Sequence, residues 1–217
     1  MKCLIFCSSN DSGIEFLKRI DFSDSYIICA DGGASVLQKL GLKADLWVGD
    51  MDSYKGSDYD FYKEKAVYPS DKDLTDAHIA VIEALNRNMT EICLFGATGG
   101  RLDHEYANYC LLKYILKNGG FGTILNEKNR ICLTNKNIKI YPEKEKYISF
   151  FPFGGEVKSL TVKNAKYVLQ NYDLTDDHTY TVSNEFINEK PVEIELDSGY
   201  LLIMCSGEWV DILIYGG

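Results

Sequence analysis

SYIICADGGASVLQKLGLKADLWVGDMDS, residues 25–53, holds strand, helix and strand in one run. Tyr26, Ile27, Ile28 and Cys29 form an apolar, β-rich stretch that ends on Asp31. GGASVLQKLGL then carries a helical pattern closed by Gly41. DLWVGD is a further strand, ending at Gly49 and delivering Asp50 and Asp52 one residue apart. Residues i and i+2 of an extended chain share a side, so the two carboxylates would sit together. Like charges that close repel unless a cation intervenes. Strands joined through helices of this length make parallel neighbours in one sheet.

The same alternation extends in both directions. KCLIFCSS precedes it as a strand, and Ile14, Leu17 and Lys18 open a short helical period. AVYP is a short strand, and LTDAHIAVIEALNRN places Ala77, Val81, Ala84 and Leu85 on one helical stripe. TEICLFG is a strand. RLDHEYANYCLLKYILKNGG is a helix with Leu102, Tyr106, Tyr109, Leu112 and Leu116 at helical spacing, and GTILN ends the series. From residue 127 the pattern is different: RICLT, IKIY, YISFFPF, SLTVKN, TYTVSNEF, VEIELD, YLLIMC and VDILIYG are short strands between turn residues. The expected fold is an N-terminal three-layer, Rossmann-like α/β domain with a parallel sheet over 1–126, followed by a C-terminal antiparallel β-sandwich over 127–217.

With 217 residues, 46% hydrophobic and 25% charged, the chain has an ordinary globular composition. A formal charge of −9 argues against nucleic acid, whose backbone calls for excess Lys and Arg. The seven cysteines are odd in number, lack a CxxC pair and mostly lie in apolar runs, as reduced buried thiols do. No segment reaches the apolar length of a membrane span, and the first apolar run is shorter than a signal peptide's. The expectation is a soluble cytoplasmic protein. His78, His104 and His178 show no ligand spacing, and Trp47 reads as core, Trp209 as core or rim.

Ligands of an open parallel sheet collect at the carboxyl ends of its strands. Asp31, Asp50 and Asp52 fall there, and Asp73 and Asp76 open the next helix, Asp73 in the manner of an N-cap. Oxygen donors of this kind suit Mg²⁺, which takes one or two carboxylates plus phosphate oxygens. GATGGRLDHEYAN, residues 96–108, supplies the anion side: a glycine turn between strand and helix exposes backbone N–H groups. Arg101 can grip phosphate with two parallel bonds, and it shares a helical face with Glu105 and Asn108.

ADGGA (30–34), GDMDS (49–53), DKDLTD (71–76), GGRLDHEYAN (99–108) and SNEF (183–186), in this order, resemble the pattern of the thiamine pyrophosphokinase family. The resemblance implies transfer of diphosphate from ATP to the hydroxyethyl group of thiamine, giving thiamine diphosphate and AMP. It implies Mg²⁺ and a homodimer with active sites between subunits. By the matching motifs Asp50, Asp52 and Asp76 would hold the metal, with Asp31 beside it. Thr75, Arg101 and Asp103 would contact nucleotide or phosphates, and Ser183 and Asn184 would lie near thiamine. Asp76 or Asp103 would take the thiamine hydroxyl proton. Lys72 departs from the Gln that many relatives carry, and its cation would help neutralise the triphosphate.

Two other functions fit the residues. A Mg²⁺-dependent phosphatase would use Asp50 as nucleophile and accumulate phospho-aspartate. A non-catalytic nucleotide or metal sensor would release no AMP. The glycine segment favours the kinase.

Overall fold

The computed structural model describes residues 2–7, 13–50, 61–69, 71 and 73–207. Asp52, Lys72, Trp209 and the strand expected in VDILIYG lie outside the described residues. The chain forms two compact units, one reaching to Glu127 and the other starting at Lys128.

The first unit runs β1 (Lys2–Phe6), α1 (Ile14–Leu17), β2 (Ser25–Ala30), a 3₁₀ turn (Asp31–Gly33), α2 (Ala34–Leu40), β3 (Ala44–Gly49), β4 (Tyr62–Val67), α3 (Asp76–Asn86), β5 (Glu91–Phe95), α4 (Leu102–Lys117) and β6 (Phe121–Leu125). Its strands stand in the order β6-β5-β1-β2-β3-β4, every neighbouring pair parallel. The central strands bury almost every side chain, which is why CLIF, IICA and ICLF read as unbroken apolar runs. β4 lies at the edge, and its Lys63, Glu64 and Lys65 are exposed, a composition that discourages pairing with another chain. Lys63 also bonds Asp45 at 2.6 Å.

Strand order creates the position for a ligand. From β1 the chain steps outward through β2, β3 and β4, then returns by α3 to β5 on the other flank of β1. Connections therefore leave β1 and β5 in opposite directions, which opens a crevice at their carboxyl ends.

Local chemistry sets the helix ends. Gly41 closes α2 in the left-handed region (φ 66°). At α3 the N-cap is Thr75, not the expected Asp73: its Oγ1 accepts the His78 N–H at 3.2 Å, and Asp76 becomes the first helical residue. The buried stripe of α3 is Ile79, Ala80, Val81 and Ala84. In α4 the expected stripe is corrected more strongly, because Leu102 and Tyr106 are 82% and 64% exposed while Asn108, Leu111, Leu112 and Ile115 are buried. Gly122 on β6 explains the turn of the helix. A Cβ there would lie 2.8 Å from Ile115 Cδ1 and 3.0 Å from Leu112 Cδ2, so the bare strand draws in the Leu112–Ile115 face.

The second unit contains β7 (Asn129–Thr134), β8 (Ile138–Ile140), β9 (Tyr147–Pro152), β10 (Val157–Lys163), β11 (Leu169–Leu174), β12 (Asn184–Glu185), β13 (Val192–Glu195) and β14 (Leu201–Ser206). They pair antiparallel as β12-β9-β14-β7 and β11-β10-β13-β8. β11 was absent from the sequence expectation because LQNYDL is an edge strand with mostly polar, exposed side chains. TYTVSNEF yields only a two-residue strand and a single bridge from Phe186 to Ala165, since Ser183 takes a positive φ of 58° just ahead of them. Within this unit the buried Glu145 carboxylate is satisfied by Arg130 Nε at 2.7 Å and by the Glu143 and Lys144 N–H groups.

Candidate active site

A cleft of about 370 Å³ opens at the switch point of the first unit. Each wall comes from the end of an element: Cys7 after β1, Asp31 after β2, Thr75 and Asp76 at the start of α3, the 96–100 turn after β5, and Arg101, His104, Glu105 and Asn108 from α4. Four residues expected from sequence, Asp31, Thr75, Asp76 and Arg101, are thus brought together.

Two glycines fix Asp31. At Gly33 a Cβ would come within 2.2 Å of the Phe6 carbonyl oxygen, so the 3₁₀ turn can lie against β1 only without a side chain. At Gly49 (φ 152°) a Cβ would lie 3.2 Å from Asp31 Cα, so the end of β3 abuts the same residue. Asp50 follows directly, although it does not line the cleft. One carboxylate oxygen of Asp31 and one of Asp76 are buried.

The glycine turn has three tethers. Gly99 N–H donates to Glu105 Oε2 at 2.9 Å, Asn108 Nδ2 donates to the Ala97 carbonyl at 2.8 Å, and Asn126 Nδ2 donates to Thr98 Oγ1 at 2.8 Å. Positive φ at Gly96 (64°) and Gly99 (80°) makes glycine the fitting residue at both. The helical face 101–105–108 was visible in the sequence; Asn126 was not. Its only signal is an amide directly after the last parallel strand.

Arg101 occupies the N-cap position of α4 and holds Asp103 with two bonds, Nε to Oδ1 at 3.1 Å and Nη2 to Oδ2 at 2.6 Å. The hydrogen bond from Arg101 keeps the Asp103 carboxyl below its ordinary range. Both side chains are largely exposed, so water and salt screen the pair. Asp103 lies outside the cleft lining. Cys7 forms an inert wall, its thiol pushed up to about 12 by burial first and by the charge of Asp76 second.

Ser183 and Asn184 belong to the second unit. Asn184 is buried, its Oδ1 accepting the Tyr167 and Glu185 N–H groups at 2.9 Å each and its Nδ2 donating to the Tyr167 carbonyl at 2.7 Å. Ser183 is exposed, its backbone N–H donating to Ser149 Oγ at 2.9 Å.

Among the described residues no three His, Cys, Asp or Glu side chains cluster as a metal site. Asp31, Thr75 and Asp76, all in the cleft wall, offer side-chain oxygen atoms only. That donor set fits a hard divalent cation completing its shell with water and phosphate oxygens.

A parallel sheet with carboxylates and a tethered glycine turn at its switch point is the architecture of α/β proteins that take phosphate-bearing ligands there. Family comparison narrows the class. The model described as "Thiamin pyrophosphokinase, catalytic domain" matches residues 17–120, and that described as "Thiamin pyrophosphokinase, vitamin B1 binding domain" matches 135–201. A thiamine pyrophosphokinase of Bacillus subtilis is 32% identical over 176 residues, covering 75% of this chain and 79% of its own. The crystal structure of a thiamine pyrophosphokinase from Bacillus subtilis has a TM-score of 0.84 at 26% identity, covering 96% of this chain and 100% of the other. A family protein from Enterococcus faecalis has a TM-score of 0.81, with the same identity and coverage. The chain belongs to the thiamin pyrophosphokinase family.

Proposed function

We infer that the chain is a thiamine diphosphokinase, transferring diphosphate from ATP to the hydroxyethyl oxygen of thiamine and releasing AMP. The observation that carries this reading is the cleft itself, where Asp31 and Asp76 face a tethered glycine turn and Arg101. Transfer of this kind calls for alignment and charge neutralisation more than for covalent help from the protein. The thiamine oxygen attacks the β-phosphorus, the bond from that phosphorus to the α-bridging oxygen breaks, and AMP departs with that oxygen.

In this reading the turn and the start of α4 hold phosphate oxygens through backbone N–H groups. Arg101 turns from Asp103 to the phosphates, exchanging one bidentate anion for another. Lys72 adds positive charge, and Thr75 contacts the nucleotide. Asp76 takes the hydroxyl proton more readily than Asp103, which is held by Arg101 outside the cleft lining. A magnesium ion held by Asp50, Asp52 and Asp76, beside Asp31, would neutralise the phosphate oxygens.

The first unit serves as a three-layer, Rossmann-like nucleotide domain (1–126). The second serves as a β-sandwich (127–217) that carries Ser183 and Asn184 toward thiamine. We place the enzyme in the cytoplasm, in keeping with six buried free thiols and with the absence, among the described residues, of a helix fit to cross a membrane. A homodimer completes the site, supported by the exposed apolar Leu102 and Tyr106 on the helix that follows Arg101. Mixing inactive Asp76→Asn protein with protein inactivated at Ser183 restores activity in exchanged dimers; no recovery after verified exchange would place each site within one chain.

The activity is tested in one pot. Protein, Mg²⁺, ATP and thiamine should yield AMP and thiamine diphosphate in equal amounts, with no AMP when thiamine is withheld. Thiamine-independent release of phosphate would instead support the phosphatase.

A further inference from the structure

Glu105 poses a problem for the reading above. A carboxylate in the first turn of α4 lines the cleft where phosphate oxygens are to bind, and it repels them. Its contacts explain why an anion stands there. Glu105 Oε2 accepts the Gly99 N–H at 2.9 Å, and Oε1 accepts the Tyr109 hydroxyl one helical turn later. Gly99 does not line the cleft, whereas its neighbours Thr98 and Gly100 do. The carboxylate therefore draws one N–H of the turn back toward the helix and leaves the flanking residues facing the ligand.

We propose that Glu105, oriented by Tyr109, is a positioning residue that sets the glycine turn for nucleotide phosphate. The proposal rests on the assignment of ATP phosphates to that turn. Tyr109 does not itself line the cleft, and its hydroxyl reaches the lining through Glu105. Its phenol is half-buried, and burial first, then the bond to Glu105, raises its pKa above the ordinary value of 10.0. Tyr109 thus remains an O–H donor across the working pH range. Asn108 and Asn126 anchor Ala97 and Thr98 independently, so loss of the Glu105 bond frees only the Gly99 end of the turn.

The test is a kinetic split. Removing a hydrogen bond to a charged group should raise KM for ATP about five- to tenfold in Tyr109→Phe. KM for thiamine stays at the wild-type value, kcat changes less than twofold, and the melting temperature barely moves. Glu105→Ala has the larger effect, Glu105→Gln recovers part of it, and adding Tyr109→Phe to Glu105→Ala costs nothing more, because the two act as one unit. Gly99→Ala, strained at φ 80°, is the control that perturbs the turn directly. A raised ATP KM in Gly99→Ala with wild-type values in Tyr109→Phe and Glu105→Ala would overturn the proposal while leaving the turn assigned to ATP. Unchanged ATP KM in all three would remove that assignment as well. Lower stability with unchanged KM would make the contact structural and overturn the proposal.

Discussion

Asn184 is held by the fold whether or not thiamine touches it. Its amide closes two reciprocal bonds with the Tyr167 backbone and accepts a third from Glu185. Asn184→Ala should lower the free energy of unfolding by about 2 kcal/mol, read from urea denaturation without any ligand. A wild-type midpoint would mean that the strap bears no load, and that the residue is kept for the ligand alone. Ser183, exposed beside it, is the cleaner reporter of thiamine contact. At this scale the sequence marked Asp31, Asp76 and Arg101 because each stands where one element ends or the next begins, and Thr75 only through the family resemblance; all four line the cleft. Glu105 was visible as a face residue, but its bond to Gly99 was not, since the direction of a turn N–H depends on φ values that no pattern records. Asn126 reaches Thr98 from 28 positions away, and single-sequence periodicity carries no such pairing.

The elements of the first unit were legible because strands buried on both faces produce apolar runs and helices produce a 3.6-residue period. The second unit was less so. β11 is polar, and TYTVSNEF has strand composition but turns at Ser183. The buried face of α4 was misjudged because Leu102 and Tyr106 are apolar yet exposed, and the deciding residue, Gly122, lies on the neighbouring strand. Close approach through missing side chains also governs the 3₁₀ turn at the site. Gly33→Ala must displace that turn from the Phe6 carbonyl, at a cost of about 2 kcal/mol or more. Because the turn carries Asp31, activity should fall more than stability alone explains. A folded Gly33→Ala protein with normal turnover would show that the placement of Asp31 is unimportant.

At the scale of the whole molecule, burial keeps five thiols protonated. Cys3 and Cys7 are pushed up to about 12 and Cys132 to about 11, burial being the largest cause in each, and Cys29 and Cys205 are raised in the same way. The unfolded chain loses these protons near the ordinary value of 9.0. Above that pH the folded state binds more protons than the unfolded one, so stability is full below about pH 9 and falls as pH rises toward the folded values. Urea midpoints at pH 7.5 and 10 should show the loss, and it should shrink when Cys3 and Cys29 are replaced by alanine. An unchanged pH slope in that variant would assign alkaline sensitivity to other groups. The central claim concerns chemistry at the switch-point cleft, and the fate of one phosphorus atom tests it most directly. With ATP labelled at the β-phosphorus, Mg²⁺ and thiamine, the account predicts label in thiamine diphosphate, unlabelled AMP, and loss of both products in Asp76→Asn. Label recovered in ADP or inorganic phosphate, or undiminished transfer by Asp76→Asn, would contradict it.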